Sequence, residues 1–508
     1  MYADIIIKNG RCVTMCGDGG ADWVAAAGKM ICAAGRGDDW QKLVRPGTQV
    51  IDARGGTVLP GFIDNHFHVM QTAVNMMSVD LGGARSHREL GEMLAAAEKR
   101  EGAVLGCQVE ESQFEEKRFP DRYVLDRYCS DCPVVLFSKE YHVSMLNTHA
   151  LLYYKVPFSL EGVELDGSGL PTGIFRRNAN YVLRSNVLRS LPDEFRMEAI
   201  HLAMSRLLEN GITTVAAIEG GWLFDDRDAE FIYAHSGEFP VDMPLFYQTM
   251  DLAKVWKLGL RRVGGNIMVD GTLSSHSAAL SAPYADRPDY RGQIFLPQDG
   301  LDEFVQQCYR QDMQLALYSI GDRAIESVLL AHERAIRQGG STALRHRIEH
   351  AIMATPEQIA RAADMKLIFS VQPAYAYLWG GKGGMYEHRV GERYLHSNNF
   401  AAMFAAGAVV CGGSDSDVTE PRPMLGIHAA VNRAVPRCAV SVEQAIEMYT
   451  VNGAYALFED KRKGKLAPGY LADIVVLDRD IRAVPAEQLE QTDVAVTIKS
   501  GSVLHSRQ

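Results

Sequence analysis

Eight short apolar segments alternate with longer helical patterns along most of this chain, and that alternation restricts the possible fold more than any other feature. The segments are GFIDNHFH (61–68), ITTVAAIEG (212–220), MPLFYQTM (243–250), NIMVDG (266–271), LALYSIGD (315–322), HRIEHAI (346–352), LIFSVQPAY (367–375) and AVVCGGSDS (408–416). Patterns such as LDEFVQQCYRQ, AIESVLLAHERAIRQGG and TPEQIARAAD lie between them and are typical of amphipathic helices. Eight strands that alternate with helices predict an α/β fold of the TIM-like, (β/α)8 barrel type.

Three parts of the chain depart from this alternation. Both ends, 1–59 and 464–508, contain short apolar runs separated by glycine turns, which predicts β-strands. The segment from about 80 to 190 lacks the regular strand–helix alternation. We therefore expect this segment to be an insertion after the first barrel strand.

Composition argues against several classes of protein. The 508 residues carry a formal net charge of −11, which gives no support for binding to nucleic acid or to an acidic membrane. No apolar stretch reaches the length of a membrane span and no secretory signal pattern is visible, so a cytoplasmic location is expected.

The nine cysteines are scattered. Cys129 and Cys132 form a C-x-x-C without the second pair that a structural zinc site requires, so we expect unpaired thiols.

Candidate metal ligands stand at the ends of several predicted strands. His66 and His68 are two residues apart at the end of the first strand, where an extended backbone directs both imidazoles to one face. His350 and Asp415 lie at the ends of the sixth and eighth strands. Because such barrels assemble their sites at the C-terminal ends of their strands, these side chains are candidates for one metal centre, with a carboxylate available as general base. Two hydrogen-bonded core histidines are the alternative interpretation of the His66–His68 pair.

Several stretches resemble the amidohydrolase superfamily, and in particular its amidohydrolase-3, or YtcJ-like, branch. They are LPGFIDNHFH (59–68), PVVLFSKEYHVSMLNTHAL (133–151), DGSGLPTGIF (166–175), VDGTLSSHSAAL (269–280), IGDRAIESVLLAHERA (320–335), HRIEH (346–350), VQP (371–373) and GGSDSDV (412–418). The resemblance covers nearly the whole chain. It implies a (β/α)8 metal-dependent hydrolase barrel over 60–463, with a small composite β-sandwich domain formed from both chain termini, 1–59 plus 464–508.

The same resemblance implies a ligand set, from which this sequence departs at two positions. Relatives usually carry a lysine on strand four, often carboxylated to bridge two metals, and a histidine on strand five; here those positions hold Asn266 and Tyr318. The remaining candidate ligands are His66, His68, His350 and Asp415. We therefore expect one divalent ion, zinc first, with iron or manganese as alternatives. Tyr318 is expected to orient the water or to polarise a substrate carbonyl.

Four further positions carry expectations about the substrate. His142 matches a family histidine near the active site, with a structural role as the alternative. Arg177 stands where relatives usually have glutamate, which suggests either a substrate carboxylate or a solvated surface residue. Tyr375 and Trp379 belong to a glycine-hinged aromatic segment that suits a mobile cover over an aromatic substrate, although packing or a subunit contact fits equally. His276 is considered as a replacement ligand.

The leading interpretation is a hydrolase of an amide-type C–N bond in a small, aromatic or carboxylate-bearing molecule, using metal-activated water with Asp415 as general base and acid. One alternative is an enzyme with a rebuilt site that performs deamination, isomerisation or decarboxylation. Another is a non-catalytic binding protein. A homodimer is expected from the habit of the superfamily, and nucleic-acid and membrane partners are not.

Overall fold

The computed structural model describes residues 2–17, 20–139, 141–221 and 225–507. The chain divides into two compact units. The first comprises residues 1–67, 204–218 and 233–508, and the second comprises residues 68–203 and 219–232. Among the described residues, no helix is long and apolar enough to cross a membrane.

Eight strands form a nearly closed parallel barrel, which confirms the predicted α/β fold class. They follow one another in the sheet in chain order: β1 (Phe62–Phe67), β2 (Ile212–Glu219), β3 (Leu245–Tyr247), β4 (Arg262–Met268), β5 (Gln314–Ser319), β6 (Arg347–His350), β7 (Ile368–Val371) and β8 (Val410–Gly412). Every residue of β1, β2, β5, β6, β7 and β8 is buried. Burial on both faces explains why these strands appear in the sequence as continuous apolar runs.

Closure of the barrel depends on a close approach between the end of β1 and the loop after β8. The N–H of Asp415 donates to the carbonyl of His66 (2.8 Å), and Phe67 pairs with Ser416 in parallel register. A Cβ added to Gly413 would lie 2.5 Å from the backbone nitrogen of His66. Glycine is therefore required at this position, since any side chain would separate the two strand ends that carry candidate ligands.

Helices connect most of the strands, as the periodicity predicts. The α-helices are Val69–Met76, His87–Ala96, Arg122–Asp126, Thr148–Tyr154, Arg177–Ser190, Asp193–Glu209, Asp226–His235, Leu252–Lys257, Gln298–Arg310, Asp322–Arg337, Pro356–Asp364, Pro373–Trp379, Met385–Val390, Phe400–Ala405, Pro423–Val431, Val442–Met448 and Val451–Ala456. Local chemistry fixes several starts. Before Pro356, the side chains of Thr355 and Gln358 form a reciprocal capping box, with proline at the first helical position.

Strand β4 begins earlier than the sequence predicts. The segment 266–271 was the expected strand, whereas β4 spans Arg262–Met268 and ends before Asp270. Gly264 and Gly265 lie inside it with φ of 90° and 106°, and the register with β5 shifts just after them. Glycines inside a strand weaken its sequence signal and mark a bulge, which explains the wrong boundary.

The two chain ends meet in the first unit. One sheet contains Ile5–Lys8, Trp23–Ala27, Met30–Gly35 and Gln49–Asp52; a second contains Arg11–Cys12, Thr57–Pro60, Ile474–Leu477, Val494–Lys499 and Ser502–Ser506. Thr57–Pro60 pairs antiparallel with Ile474–Leu477, so the second sheet draws strands from both ends. Buried residues of both sheets, including Ile7, Val24, Val58 and Ile474, share one apolar cluster. The exact domain limits remain a prediction.

The second unit has a sheet of its own in the segment expected to be an insertion. Its strands are Val79–Asp80, Val104–Val109, Val134–Ser138, Val143–Leu146, Val163–Leu165 and Pro171–Arg176. Val134 and Leu136 belong to one apolar cluster, whereas Val135 and Phe137 belong to another. Successive side chains of a strand point to opposite faces, so this strand is covered on both sides.

Candidate metal centre

Two histidines and a carboxylate come together where β1 ends and the loop after β8 passes. His66 lies on β1, and His68 is the extended residue (φ −95°, ψ 92°) that precedes helix Val69–Met76. His66, His68 and Asp415 are all buried, and each offers a ligand atom within 4.8 Å of the others. The Nε2 of His66 is 3.3 Å from Oδ1 of Asp415. Two imidazole nitrogens and one carboxylate oxygen form a donor set that fits a divalent ion such as zinc.

A buried carboxylate outside the sequence-predicted ligand set orients His66. The Nδ1 of His66 is 2.7 Å from Oε2 of Glu349, on β6. Arg347 donates to both oxygens of Glu349, from Nε (2.7 Å) and Nη2 (2.9 Å). Because the ionised carboxylate is an acceptor, Nδ1 of His66 carries the proton and Nε2 is the nitrogen available for a metal. The available sequence signal was the pair of opposite charges, Arg347 and Glu349, two residues apart within a predicted barrel strand.

The charges around His66 favour a cation between the two carboxylates. Burial opposes the charged form of His66, but Asp415 and Glu349 outweigh burial and raise the pKa of His66 to about 9. Burial likewise opposes ionisation of Glu349, and Arg347 together with His66 holds its pKa below the usual range. A bound metal ion would satisfy the same negative field that otherwise favours the imidazolium.

His350 lies beside His66, but its ring nitrogens do not belong to the group of ligand atoms from His66, His68 and Asp415 that lie within 4.8 Å of one another. Its ring centroid is 4.9 Å from that of His66, and its Nδ1 is 2.6 Å from Oε1 of Gln372. Nε2 of His350 is buried, and none of the described residues forms a hydrogen bond with it. Burial lowers the pKa of His350 to about 4, so the ring is neutral. With Nδ1 donating to Gln372, an unshared pair on Nε2 is available to a ligand.

Asp415 is positioned by a tyrosine from the helix after β7. The hydroxyl of Tyr375 donates to Oδ2 of Asp415 (2.5 Å), and its ring is nearly parallel to that of His350, with centroids 6.2 Å apart. Trp379 packs edge-on against Tyr375 at 4.7 Å. The backbone of Asp415 and of His350 has positive φ, at 53° and 69°. Such conformations are uncommon for non-glycine residues and concentrate at functional sites.

The two residues at the family's usual ligand positions have different surroundings. The ring of Tyr318, on β5, is buried and packs edge-on against His350 with centroids 4.4 Å apart. Asn266, on β4, accepts a hydrogen bond from Gln248 at its backbone oxygen (3.2 Å). Its side-chain Oδ1 is buried and has no hydrogen-bond partner within the described ranges. An amide nitrogen cannot be carboxylated, so Asn266 offers no bridging carbamate.

Two other acids have supporting roles that the sequence did not reveal. Asp270 accepts hydrogen bonds from the backbone N–H groups of Ala279 (2.8 Å), Ile320 (2.9 Å) and Gly321 (2.8 Å), and so fixes the loop after β4 against the end of β5. Burial raises the pKa of Asp270 to about 7. Glu219, the last residue of β2, accepts the backbone N–H groups of Val69 and Met70 at the start of the helix that follows His68. This carboxylate thereby fixes the chain next to a candidate ligand.

The remaining candidates have partners of their own. His142 belongs to the second unit, where burial and the charge of Arg184 lower its pKa to about 4; Glu140, beside it, lies outside the described residues. Arg177 is 74% exposed and forms an ion pair with Glu161. Its role and that of His142 stay predictions. Nε2 of His276 is 3.0 Å from Oδ2 of Asp286. His276 is not a member of the group formed by His66, His68 and Asp415.

Comparison with known proteins places the chain among hydrolases. The sequence profile of the amidohydrolase family matches residues 49–505. The N-substituted formamide deformylase of Arthrobacter pascens is 27% identical, with 96% of this chain and 95% of the relative covered. The putative amidohydrolase YtcJ of Bacillus subtilis (strain 168) is 26% identical, with 92% of both covered. Protein LONG AFTER FAR-RED 3 of Arabidopsis thaliana is 28% identical, with 94% and 87% covered.

A solved structure agrees with the sequence comparison. It is an uncharacterized metal-dependent hydrolase from Pyrococcus furiosus, which is 26% identical and superimposes with a TM-score of 0.79. The alignment covers 94% of this chain and 99% of the other.

Proposed function

The chain belongs to the amidohydrolase family, and from that premise we propose that it hydrolyses an amide-type C–N bond of a small molecule at a single-metal centre. The observation that carries the proposal is the group of buried donor atoms from His66, His68 and Asp415, all within 4.8 Å of one another. Catalytic zinc sites commonly use three protein ligands and keep one position open. His350, whose Nε2 has no hydrogen-bond partner in the described part of the chain, is the candidate fourth contact.

Each protein group has a defined task in this proposal. A bound divalent ion would lower the pKa of a coordinated water and polarise the substrate carbonyl. Glu349 keeps the proton of His66 on Nδ1, so that Nε2 faces the ion. Asp415 accepts the proton of the attacking water at a carboxylate oxygen and returns it to the leaving nitrogen. Tyr375 fixes Oδ2 of Asp415 and so limits its rotation.

The residues at the usual ligand positions support one metal rather than two. Asn266 cannot form the carbamate that bridges two ions, and Tyr318 supplies a phenol where relatives have an imidazole. The ring of Tyr318 packs against His350, so its hydroxyl belongs to the same end of the barrel as the ligands. We assign this hydroxyl to orienting the water or the substrate carbonyl.

The substrate class we propose is a neutral N-substituted amide, with a formamide tested first. The deformylase relative, which aligns over 96% of this chain, supports the small acyl group. Tyr318 and Tyr375 belong to one apolar cluster that contains five tyrosines, and Trp379 packs against it, which supports an aromatic substituent on nitrogen. A substrate carboxylate gains no support from Arg177, which is exposed and paired with Glu161.

The test measures amine release from an N-aryl formamide by the zinc-loaded full-length protein. We expect hydrolysis of the formamide in preference to the matching acetamide, and a loss of at least about 100-fold in kcat for Asp415→Asn, in line with the usual worth of general base catalysis. Asp39→Asn, at an exposed carboxylate that pairs with Lys42 (2.5 Å), is the control and should keep near-normal activity. An Asp415→Asn protein with full activity would refute the assigned proton transfer.

A further inference from the structure

Two cysteines outside the proposed metal centre lie in contact with each other. Cys129 and Cys132 are each 5% exposed, and their Sγ atoms are 3.2 Å apart. They belong to the second unit and stand in the loop between helix Arg122–Asp126 and strand Val134–Ser138. The sulfurs are closer than non-bonded sulfur atoms usually pack, and a shift of about 1 Å would bring them to disulfide bonding distance.

The surrounding structure holds both cysteines in this position. The Nδ2 of Asn147 donates to the carbonyl of Cys129 and to the carbonyl of Cys132, each at 2.8 Å. Oδ1 of Asn147 accepts the N–H of Val134 at 3.0 Å, which ties the loop to the first residue of the following strand. One buried side chain thus fixes the backbone on both sides of the pair, so little conformational freedom remains for closure to remove.

Polar groups and open space lie next to the pair. Oδ1 of Asp131 is 3.7 Å from Sγ of Cys129, and Oδ2 of Asp131 pairs with Lys99 at 2.5 Å. Asp131 and Pro133 also line a cavity of about 310 Å³ within the second unit. The loop that carries the two cysteines therefore borders this cavity through Asp131 and Pro133.

We propose that Cys129 and Cys132 form a redox modification site, at which a low-molecular-weight disulfide such as oxidised glutathione converts the two thiols into an intramolecular disulfide. The thiolate of one cysteine attacks the reagent, forms a mixed disulfide and releases the first reagent thiolate. The thiolate of the second cysteine attacks the protein sulfur of that mixed disulfide and releases the second reagent thiolate. The protein loses two protons and two electrons, and the reagent is reduced to two thiols.

The local environment makes this exchange depend on pH. Burial, reinforced by the hydrogen bond to Cys132, raises the pKa of the Cys129 thiol. Since the thiolate is the attacking species, the rate of closure should increase as the pH rises towards that pKa. Weakly alkaline conditions are therefore the appropriate choice for the experiment.

The experiment counts thiols in the full chain. Chelator-treated, fully reduced protein is incubated with oxidised glutathione, quenched in acid, denatured, alkylated and mapped by mass spectrometry. Of the nine cysteines, we expect Cys129 and Cys132 to escape alkylation and to be linked to each other, and exposed Cys16 to carry at most a glutathione adduct. Reduction should restore all nine. Nine alkylated thiols after oxidation, or a disulfide that maps elsewhere, would overturn the proposal.

Two variants separate this site from general thiol oxidation. In Cys132→Ser the resolving thiol is absent, so glutathione should remain attached to Cys129 as a stable mixed disulfide. In Cys16→Ser, which removes an exposed cysteine, the Cys129–Cys132 disulfide should form as in the unmodified chain. A Cys132→Ser protein that acquires no adduct, together with unmodified protein that retains nine thiols, would show that the pair does not react.

Discussion

The carboxylate of Glu349 offers the sharpest test of how the candidate metal centre is organised. It is fully buried and accepts hydrogen bonds from Nδ1 of His66 (2.7 Å) and from Nε and Nη2 of Arg347 (2.7 and 2.9 Å). In Glu349→Gln one acceptor oxygen becomes an NH₂ donor. If the NH₂ faces Nε of Arg347, two donors oppose each other. If it faces His66, Nδ1 can no longer donate and the proton moves to the nitrogen that should bind metal.

Either orientation has a calculable effect. Loss of an outer partner of a metal-bound histidine typically costs about 10–100-fold in metal affinity, which equals about 1.4–2.7 kcal/mol. The metal-free protein should also lose stability, because the buried guanidinium of Arg347 no longer has an ionised partner. Breaking a buried pair costs about 3–5 kcal/mol. Arg347 retains the carbonyl of Asn65 (2.6 Å) and Oγ of Ser370 (2.9 Å), so we expect about 3 kcal/mol.

Metal affinity is measured by competition with a chromophoric chelator, and the free energy of unfolding by urea titration of metal-free protein. Glu333→Gln is the matched control, because Glu333 also pairs with arginine but is partly exposed. Its partners are Arg337 on the same helix (3.3 Å) and Arg361 on the next helix (2.9 Å). Such pairs contribute about 1 kcal/mol or less. A Glu349→Gln protein with unchanged metal affinity and unchanged stability would refute the role assigned to this carboxylate.

Three further predictions concern other parts of the structure. Tyr375→Phe removes a hydrogen bond to ionised Asp415 that is worth about 1.5–3 kcal/mol, so kcat/KM should decrease by about 10–100-fold. Tyr377 is exposed on the same helix, and Tyr377→Phe should leave kcat/KM unchanged. Glu219→Ala removes the acceptor for the N–H groups at the start of helix Val69–Met76 and should weaken metal binding. Glu219→Gln keeps an acceptor oxygen and should retain most of the metal affinity. An equal loss of affinity in both variants would contradict the capping argument. Burial lowers the pKa of His332 to about 3, so as the pH falls this histidine binds a proton in the unfolded protein before it does so in the folded protein. Between about pH 8 and pH 5 the free energy of unfolding should therefore decrease by about 2 kcal/mol. The same urea titrations of an H332L variant should lack this decrease.

The barrel could be predicted from the sequence because its strands are buried on both faces and its helices are amphipathic. Six of the eight expected segments contain the observed strand, and β5 begins one residue before its expected segment. The larger departure is β4, which begins with residues that include Gly264 and Gly265. Backbone bulges of this kind depend on contacts with neighbouring strands, which apolar periodicity does not record. The β-strands of the two chain ends could likewise be predicted, since both ends contain short runs in which apolar and polar residues alternate.

The candidate ligands could be predicted one by one, but their supporting residues could not. His66 and His68 follow from strand geometry, and Asp415 from its place after the last strand. Glu349 contacts His66 across 283 positions of the chain, and a local pattern cannot express such a pairing. Tyr375 is expected to face the substrate, and that role stays a prediction. The contact of its hydroxyl with Asp415 is revealed only by the path of the helix after β7.

The central claim is a single-metal centre that includes His66, and metal stoichiometry tests it most directly. Protein expressed with zinc available, freed of loosely bound ions and measured by mass spectrometry of its metal content, should contain one divalent ion per chain. His66→Ala should contain none, and His276→Ala, whose imidazole pairs with Asp286, should still contain one. Two ions per chain, or an unmodified protein that binds none when supplied with zinc, iron or manganese, would contradict the account.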